Sequence, residues 1–199
     1  MRIYVETNFI QELTLLHAQA ATCENILELC EGGKAEIIIP AFSIVEPVWK
    51  IIGNRSKRIK FREELQSDWK ELSRGTGYEV EIGRFKEIDT ILTRVINDEQ
   101  NRFTAARERI LQIAEVIPLD AGVFDRCKEF AHLFTKFTDT VVCASIISHL
   151  ENSESDKSCF LNIDGDFYSD PDVKQLFTHR KCSIMGFGEG LGLLLGKKK

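Results

Sequence analysis

The chain has 199 residues, of which 43% are hydrophobic and 29% are charged, as in an ordinary soluble globular protein. Its 26 Lys and Arg residues against 31 Asp and Glu residues give a formal net charge of -5, which excludes coating of nucleic acid by bulk charge alone. The length fits a single domain over residues 1–199, and the apolar share excludes a disordered chain.

The sequence predicts no membrane segment. The apolar run at the N-terminus is broken by Glu6, well short of the core of a secretory signal, and no stretch approaches the roughly 18 apolar residues of a membrane helix. The six cysteines show no Cys-x-x-Cys spacing, which favours small buried apolar side chains over zinc ligands or disulfides. We therefore expect a cytoplasmic protein.

Apolar runs and chain breakers predict strands that alternate with helices. Strands are predicted, in chain order, at residues 2–5, 36–40, 115–119, 159–163 and 182–185. Helices are predicted at residues 8–17, 20–30, 43–52, 57–73, 79–113, 121–133 and 139–150, with a charged surface loop at 151–158. This alternation predicts an α/β fold, a three-layer α/β/α sandwich around a mostly parallel sheet.

One part of the chain interrupts this alternation. Gly53-Asn54 is expected to end the helix that begins at Ser43. The next segments, 57–73 and 79–113, each carry an apolar stripe at helical spacing, and the turn Gly75-Thr76-Gly77 separates them. We therefore interpret residues 57–113 as a helical hairpin inserted into the domain.

Carboxylates follow the predicted strands at several distant points. Glu6 ends the first strand, and Asp164 ends the fourth, with Asp166 two residues later. Glu46 lies in the first turns of the helix after the second strand, and Asp139 begins a helix. Because ligands bind outside the carboxyl ends of strands in parallel sheets, we expect these acids to meet at one edge of the sheet.

Such a group of acids repels itself unless a cation lies within it. Hard oxygen ligands suit Mg²⁺ or Mn²⁺, and an ion of this kind can activate a water for attack on a phosphodiester. Each acid alone has an ordinary explanation: Asp139 can stabilise a helix N-terminus, and Asp164-Gly165-Asp166 can form a turn. The prediction therefore rests on the set and not on any member.

The segments around these acids resemble the PIN domain, a family of metal-dependent nucleases that includes the toxin ribonucleases of toxin–antitoxin systems. Glu6-Thr7-Asn8 matches the family's opening Asp-Thr-Asn, with Glu in place of Asp, and Ser43-Ile44-Val45-Glu46 fits the second motif. Thr138-Asp139-Thr140 fits the third motif, with Thr140 for the usual Ala. Asn162-Ile163-Asp164-Gly165-Asp166 fits the fourth, with Asn162 replacing Thr or Ser.

The resemblance covers residues 1–185 outside the predicted insertion and implies specific roles. It implies an endoribonuclease that hydrolyses RNA with Mg²⁺ or Mn²⁺, with catalytic carboxylates at Glu6, Glu46, Asp139 and Asp164. The implied metal ligands are Glu6, Asp139, Asp164 and, as a reserve, Asp166. Asn8 and Asn162 are expected to orient ligands or water through their amides. For the toxin relatives it also implies an antitoxin partner and a homodimer.

Two other hypotheses remain beside the nuclease. Glu6 carries one methylene more than the family's Asp, which leaves open a catalytically degenerate PIN-like scaffold that binds RNA or a protein partner. A phosphatase that uses Asp164 and Asp166 as a nucleophile pair is less favoured, because such Asp-x-Asp motifs normally follow the first strand.

A basic segment without intervening acids follows the Glu46 helix. It consists of Lys50, Arg55, Lys57, Arg58, Lys60 and Arg62. This segment is either a phosphate-binding surface beside the acids or a solvated helix start, and the sequence favours neither.

Overall fold

The computed structural model describes residues 1–77, 79–153 and 157–196, so part of the predicted loop at 151–158 lies outside the described residues. In the described ranges the strands form one sheet with the order β3-β2-β1-β4-β5, and every strand pair is parallel. The strands are β1 (Arg2–Tyr4), β2 (Glu36–Pro40), β3 (Glu115–Ile117), β4 (Ser158–Leu161) and β5 (Cys182–Met185).

Helices cover both faces of this sheet. They are α1 (Thr7–Leu15), α2 (Ala20–Glu31), α3 (Ala41–Leu72), α4 (Glu79–Ile113), α5 (Ala121–Phe130), α6 (Phe137–Asn152), α7 (Gly165–Tyr168), α8 (Pro171–Thr178) and α9 (Phe187–Leu194). Successive residues of a strand face opposite sides of the sheet, so the core has two halves. Ile3 and Ile37 pack towards α1, α2, α9 and the end of α4. Tyr4 and Ile38 pack towards α5, α6 and α8. This confirms the predicted three-layer α/β/α sandwich.

The predicted helix end at Gly53-Asn54 is wrong. Helix α3 continues through both residues for 32 residues in all, and Gly53 keeps an ordinary negative φ. A glycine inside a helix costs about 1 kcal/mol relative to alanine, and α3 offsets this by packing along α4, for example through the Arg62 Nε–Asp89 Oδ1 ion pair of 2.7 Å. The distal parts of α3 and α4 pack together as a helical hairpin, whereas the C-terminal part of α4, with Phe103, Ala106 and Ile110, packs into the core. An insertion that extends over residues 57–113 stays a prediction.

Two helices after β4, α7 and α8, are absent from the sequence prediction, and the Asp164 and Asp170 side chains cap them. For the third, α9, the sequence predicts only a last helical turn at residues 191–195, because its several glycines weaken a helix prediction. Gly190 permits this helix to pack closely, because a Cβ built there would lie 2.5 Å from Leu161 Cδ2.

The sheet order also fixes where a ligand site can form. The chain moves from β1 to β2 on one side and later returns to β4 on the other side of β1. Crevices at such a reversal of strand order, outside the carboxyl ends, are the ligand sites of open parallel sheets. Among the described residues, no helix combines the length and apolarity needed to cross a bilayer.

Candidate metal centre

Three aspartates converge at the carboxyl end of β4. Asp139 lies in the first turn of α6, Asp164 is the N-cap of α7 and Asp166 lies in its first turn. One carboxylate oxygen from each lies within 4.8 Å of the other two. Oxygen ligands of one octahedral Mg²⁺, each at about 2.1 Å from the ion, are about 3 to 4 Å apart. A small side-chain movement would therefore bring the three aspartates to ligand spacing.

Glu6 lies in the same negative field from the neighbouring strand β1. It caps α1, where its Oε2 accepts a hydrogen bond of 3.0 Å from the Asn8 backbone N–H. The residue is 6% exposed, and burial raises its pKa to about 8 against the opposing effect of the Asn8 hydrogen bond. The charges of Glu46, Asp164 and Asp139 raise this pKa further, which places their carboxylates within electrostatic reach of Glu6.

Thr7 connects the Glu46 carboxylate to the start of α1. Glu46 lies in the second turn of α3, and its Oε2 accepts a short hydrogen bond from the Thr7 hydroxyl. Thr7 itself is the first residue of α1, and Glu6 is the N-cap of this helix. Two adjacent residues at the start of α1 therefore fix two carboxylates. Glu6 carries one of them, and Thr7 orients the other, that of Glu46.

The two predicted orienting asparagines act differently. Asn162 is fully buried, and its Oδ1 accepts a hydrogen bond of 2.5 Å from the Asp164 backbone N–H. Asp164 Oδ1 in turn accepts one of 3.1 Å from the Asp166 N–H, so these bonds fix the turn that carries both aspartates. Asn8 contributes its backbone N–H, while its side-chain amide makes no hydrogen bond to any described residue.

Lys136, which sequence reasoning missed, lies among the three aspartates. Its Nζ is 3.6 Å from Asp139 Oδ2, 3.8 Å from Asp164 Oδ2 and 3.5 Å from Asp166 Oδ2. The negative charges of the three aspartates, of which Asp139 has the largest effect, raise the pKa of Lys136. The position of Lys136 at the N-cap of α6 could have indicated this contact from the sequence. The helix dipole disfavours a cation at a helix N-terminus unless carboxylates surround it.

The unpartnered atoms of the site fit a divalent cation. Glu6 Oε1, Asp139 Oδ2 and Asn162 Nδ2 are buried without a hydrogen-bond partner. Leaving such an atom unsatisfied costs about 1–3 kcal/mol. Two of the three belong to carboxyl groups, whose oxygens are hard ligands when the group is ionised. The donor set at this site therefore suits Mg²⁺ or Mn²⁺ better than a thiol- or imidazole-binding metal.

The predicted RNA-binding residues lie along α3, and several of them form contacts within the protein. Lys50 Nζ donates to Gln11 Oε1 of α1 at 2.6 Å. Three further members have carboxylate partners: Arg58 with Glu99, Lys60 with Glu64 and Arg62 with Asp89. Arg55 and Lys57 are exposed and form no ion pair with a described residue. Binding of phosphates by this segment remains a prediction.

Comparison with family models identifies the class of protein. The model of the PIN domain matches residues 3–167, and the chain belongs to the PIN-domain family. PIN domains are in general nucleases that use divalent metal ions, so the chain has the scaffold of a nuclease. Searches of curated proteins and of solved structures returned no match.

Replacement of Lys136 is expected to tighten metal binding. In Lys136→Met no ammonium competes for the three aspartates, so the affinity for Mn²⁺ is expected to rise by up to about fivefold, which corresponds to the free energy of an exposed ion pair. Titration calorimetry measures this change, with Lys70→Met, an exposed lysine of α3, as the control. An unchanged or weaker Mn²⁺ affinity of Lys136→Met would show that Lys136 does not compete with the metal.

Proposed function

We propose that this protein is a Mg²⁺- or Mn²⁺-dependent endoribonuclease that hydrolyses RNA phosphodiester bonds. The observation that carries this proposal is the convergence of Asp139, Asp164 and Asp166 at the carboxyl end of β4. The buried Glu6 lies in the electrostatic field of two of these aspartates, although it is not a member of the three-aspartate group. Membership of a nuclease family supports the same chemistry.

The residues of the site would divide the work as follows. Asp139, Asp164, Asp166 and Glu6 would hold the ion, and Glu46, oriented by Thr7, would complete the acidic pocket. A bound divalent ion would supply a polarised water and charge stabilisation at the phosphate. Asn162 keeps the Asp164 backbone in place, and Lys136 would turn from the aspartates to the solvent side of the site, where phosphate oxygens carry negative charge.

RNA would reach this site along α3. Lys50, Arg55 and Lys57 keep positive charges that no described carboxylate neutralises, and such charges bind phosphates independently of sequence. All six cysteines are free and buried, which agrees with a reducing cytoplasm. A toxin role with an antitoxin partner and a homodimer is part of this proposal through the family resemblance alone.

A catalytically degenerate scaffold is the second candidate, and one specific observation favours it. Lys136 already supplies a positive charge to the three aspartates, and Glu6, with a pKa of about 8, is mostly protonated at neutral pH. A site neutralised in this way could bind RNA or a protein partner without metal. The two candidates differ in whether metal ions enter the site.

A cleavage assay separates the two candidates. Purified protein is expected to cut a single-stranded RNA, labelled at its 5′ end, with Mg²⁺ or Mn²⁺ and not with EDTA. Hydrolysis at internal positions gives a ladder of labelled fragments on a denaturing gel. Binding of the RNA without cleavage at any metal concentration would favour the scaffold, and equal cleavage in EDTA would contradict a metal site.

A further inference from the structure

Trp49 is the most exposed large apolar side chain among the described residues, at 73%. Single exposed apolar residues are common on protein surfaces, so exposure alone indicates nothing. The position of this tryptophan is distinctive, because it lies on α3 three residues after Glu46. Residues three apart are neighbours on a helix surface, so Trp49 and Glu46 are adjacent on the surface of α3.

The packing of α3 shows which side of the helix Trp49 occupies. Phe42 lies seven residues earlier, on nearly the same side of the helix, and packs against the core beneath α5 and α6. Lys50 lies on the other side of Glu46 and binds Gln11 of α1. Trp49 therefore lies on the side of α3 towards α6, the helix whose first turn carries Asp139.

The charges around Trp49 favour a polyanion as its ligand. Lys50 and Lys57 lie about 80–100° around α3 from Trp49, on the side that also carries Glu46, and neither forms an ion pair with a described carboxylate. Arg55 lies on the other side of the helix and is not part of this arrangement. An aromatic surface beside cations is the arrangement with which proteins bind single strands, because bases stack on the ring while phosphates meet the cations. A base pair within a duplex keeps both faces stacked on its neighbours and offers no free face.

We propose that Trp49 stacks on an unpaired base of a single-stranded nucleic acid whose neighbouring phosphate lies at the acidic pocket. This inference rests on the proposed nuclease function and adds to it a named residue that positions the strand at the site. Trp49 is a substrate-positioning residue in this account, since the carboxylates perform the chemistry.

The two other most exposed aromatic side chains, Phe61 and Phe137, lack this placement. Phe61, which is 50% exposed, lies twelve residues further along α3, about 18 Å away at the rise of an α-helix. Phe137 is 62% exposed but precedes Asp139 by two residues, which places it on nearly the opposite side of α6. Phe61 therefore serves as a matched control on the same helix.

Fluorescence tests stacking without any catalytic step. The chain has two tryptophans, so Trp69→Phe leaves Trp49 as the sole indole, with circular dichroism as the check of its fold. In EDTA, a single-stranded RNA of about 12 nucleotides, within the site size of such proteins, is expected to quench this fluorescence on binding. The same RNA annealed to its complement is expected to quench it much less. Binding of the single strand, measured by anisotropy, without quenching would overturn the proposal.

Affinity provides the second measurement. Stacking contributes about 1–3 kcal/mol per base, so Trp49→Ala is expected to weaken single-strand binding about 5- to 150-fold, whereas Phe61→Ala changes it less than twofold. Equal losses in the two variants would overturn the proposal, as would a concentration-dependent dimer that Trp49→Ala abolishes, because a second copy would then cover the indole. Quenching in EDTA together with no cleavage in Mn²⁺ would reject the proposed nuclease and retain Trp49 as a stacking residue.

Discussion

Asp139→Asn is expected to abolish metal-dependent cleavage of RNA while the protein stays folded. Asp139 is the member of the three-aspartate group that lies on α6. The amide of asparagine has no negative charge with which to bind a divalent ion. Metal ions supply several kcal/mol of stabilisation to such reactions, so the initial cleavage rate is expected to fall at least about a hundredfold. Initial rates with saturating Mn²⁺ measure this loss.

The fold is expected to tolerate the same substitution. Burial, together with the charges of Asp164 and Asp166, raises the pKa of Asp139 despite the ion pair with Lys136, so the neutral amide relieves repulsion in the metal-free chain. The melting temperature of Asp139→Asn without metal should therefore stay close to that of the wild type. Asp68→Asn changes an exposed acid of α3 and is the control. Wild-type cleavage by Asp139→Asn would contradict the proposed site.

The stability of the metal-free protein is expected to fall as the pH rises from about 5 to about 8. Glu6 has a pKa of about 8 in the folded chain against 4.5 for an unperturbed glutamate, chiefly because it is buried. Between these values the folded state binds a proton that the unfolded state has released, so the free energy of unfolding decreases with pH. Urea unfolding at several pH values in EDTA measures this slope.

Glu6→Gln is expected to remove most of this slope. The amide keeps an oxygen for the Asn8 N–H and does not ionise, so at pH 8 the variant should be more stable than the wild type and at pH 5 about equal to it. Glu63→Gln, an exposed residue of α3, should keep the wild-type slope. A Glu6→Gln slope equal to that of the wild type would show that Glu6 is not the group that titrates.

The protonation of Glu6 also affects metal binding, and the two candidate functions differ in whether a metal ion enters the site. A metal ion binds the ionised carboxylate, so binding must release the Glu6 proton below its pKa, and Mn²⁺ affinity should increase with pH up to about 8. Added Mn²⁺ should therefore raise the melting temperature of the wild type more at pH 8 than at pH 6.

The sequence predicts the layers, and the nearness of Glu6 to Asp164, because both depend on simple regularities. Parallel strands place their carboxyl ends along one edge, so Glu6 and Asp164, which follow neighbouring strands, lie close together whatever the loops do. The alternation of Ile37, Ile38 and Ile39 between the two core faces follows from the period of a strand. Patterns of this kind are local, so distant contacts in the folded protein do not alter them.

Features that depend on distant contacts were not predictable. Gly53 lies inside a continuous helix because α4 packs along it, and α9 forms around Gly190 because Leu161 leaves no room for a Cβ. The approach of Lys136 to Asp164 and Asp166 joins two segments nearly 30 residues apart, and nothing local to the lysine indicates it except its unfavourable place at a helix N-terminus.

Binding of Mn²⁺ to the carboxylates tests the central claim most directly. Titration calorimetry of the wild type at pH 8 is expected to show saturable Mn²⁺ binding, with the affinity reduced at least about tenfold in Asp139→Asn, the loss of about 1.4 kcal/mol. Asp68→Asn should match the wild type. No heat of Mn²⁺ binding to the wild type at millimolar concentration, or equal affinity in Asp139→Asn, would contradict a metal centre at these residues.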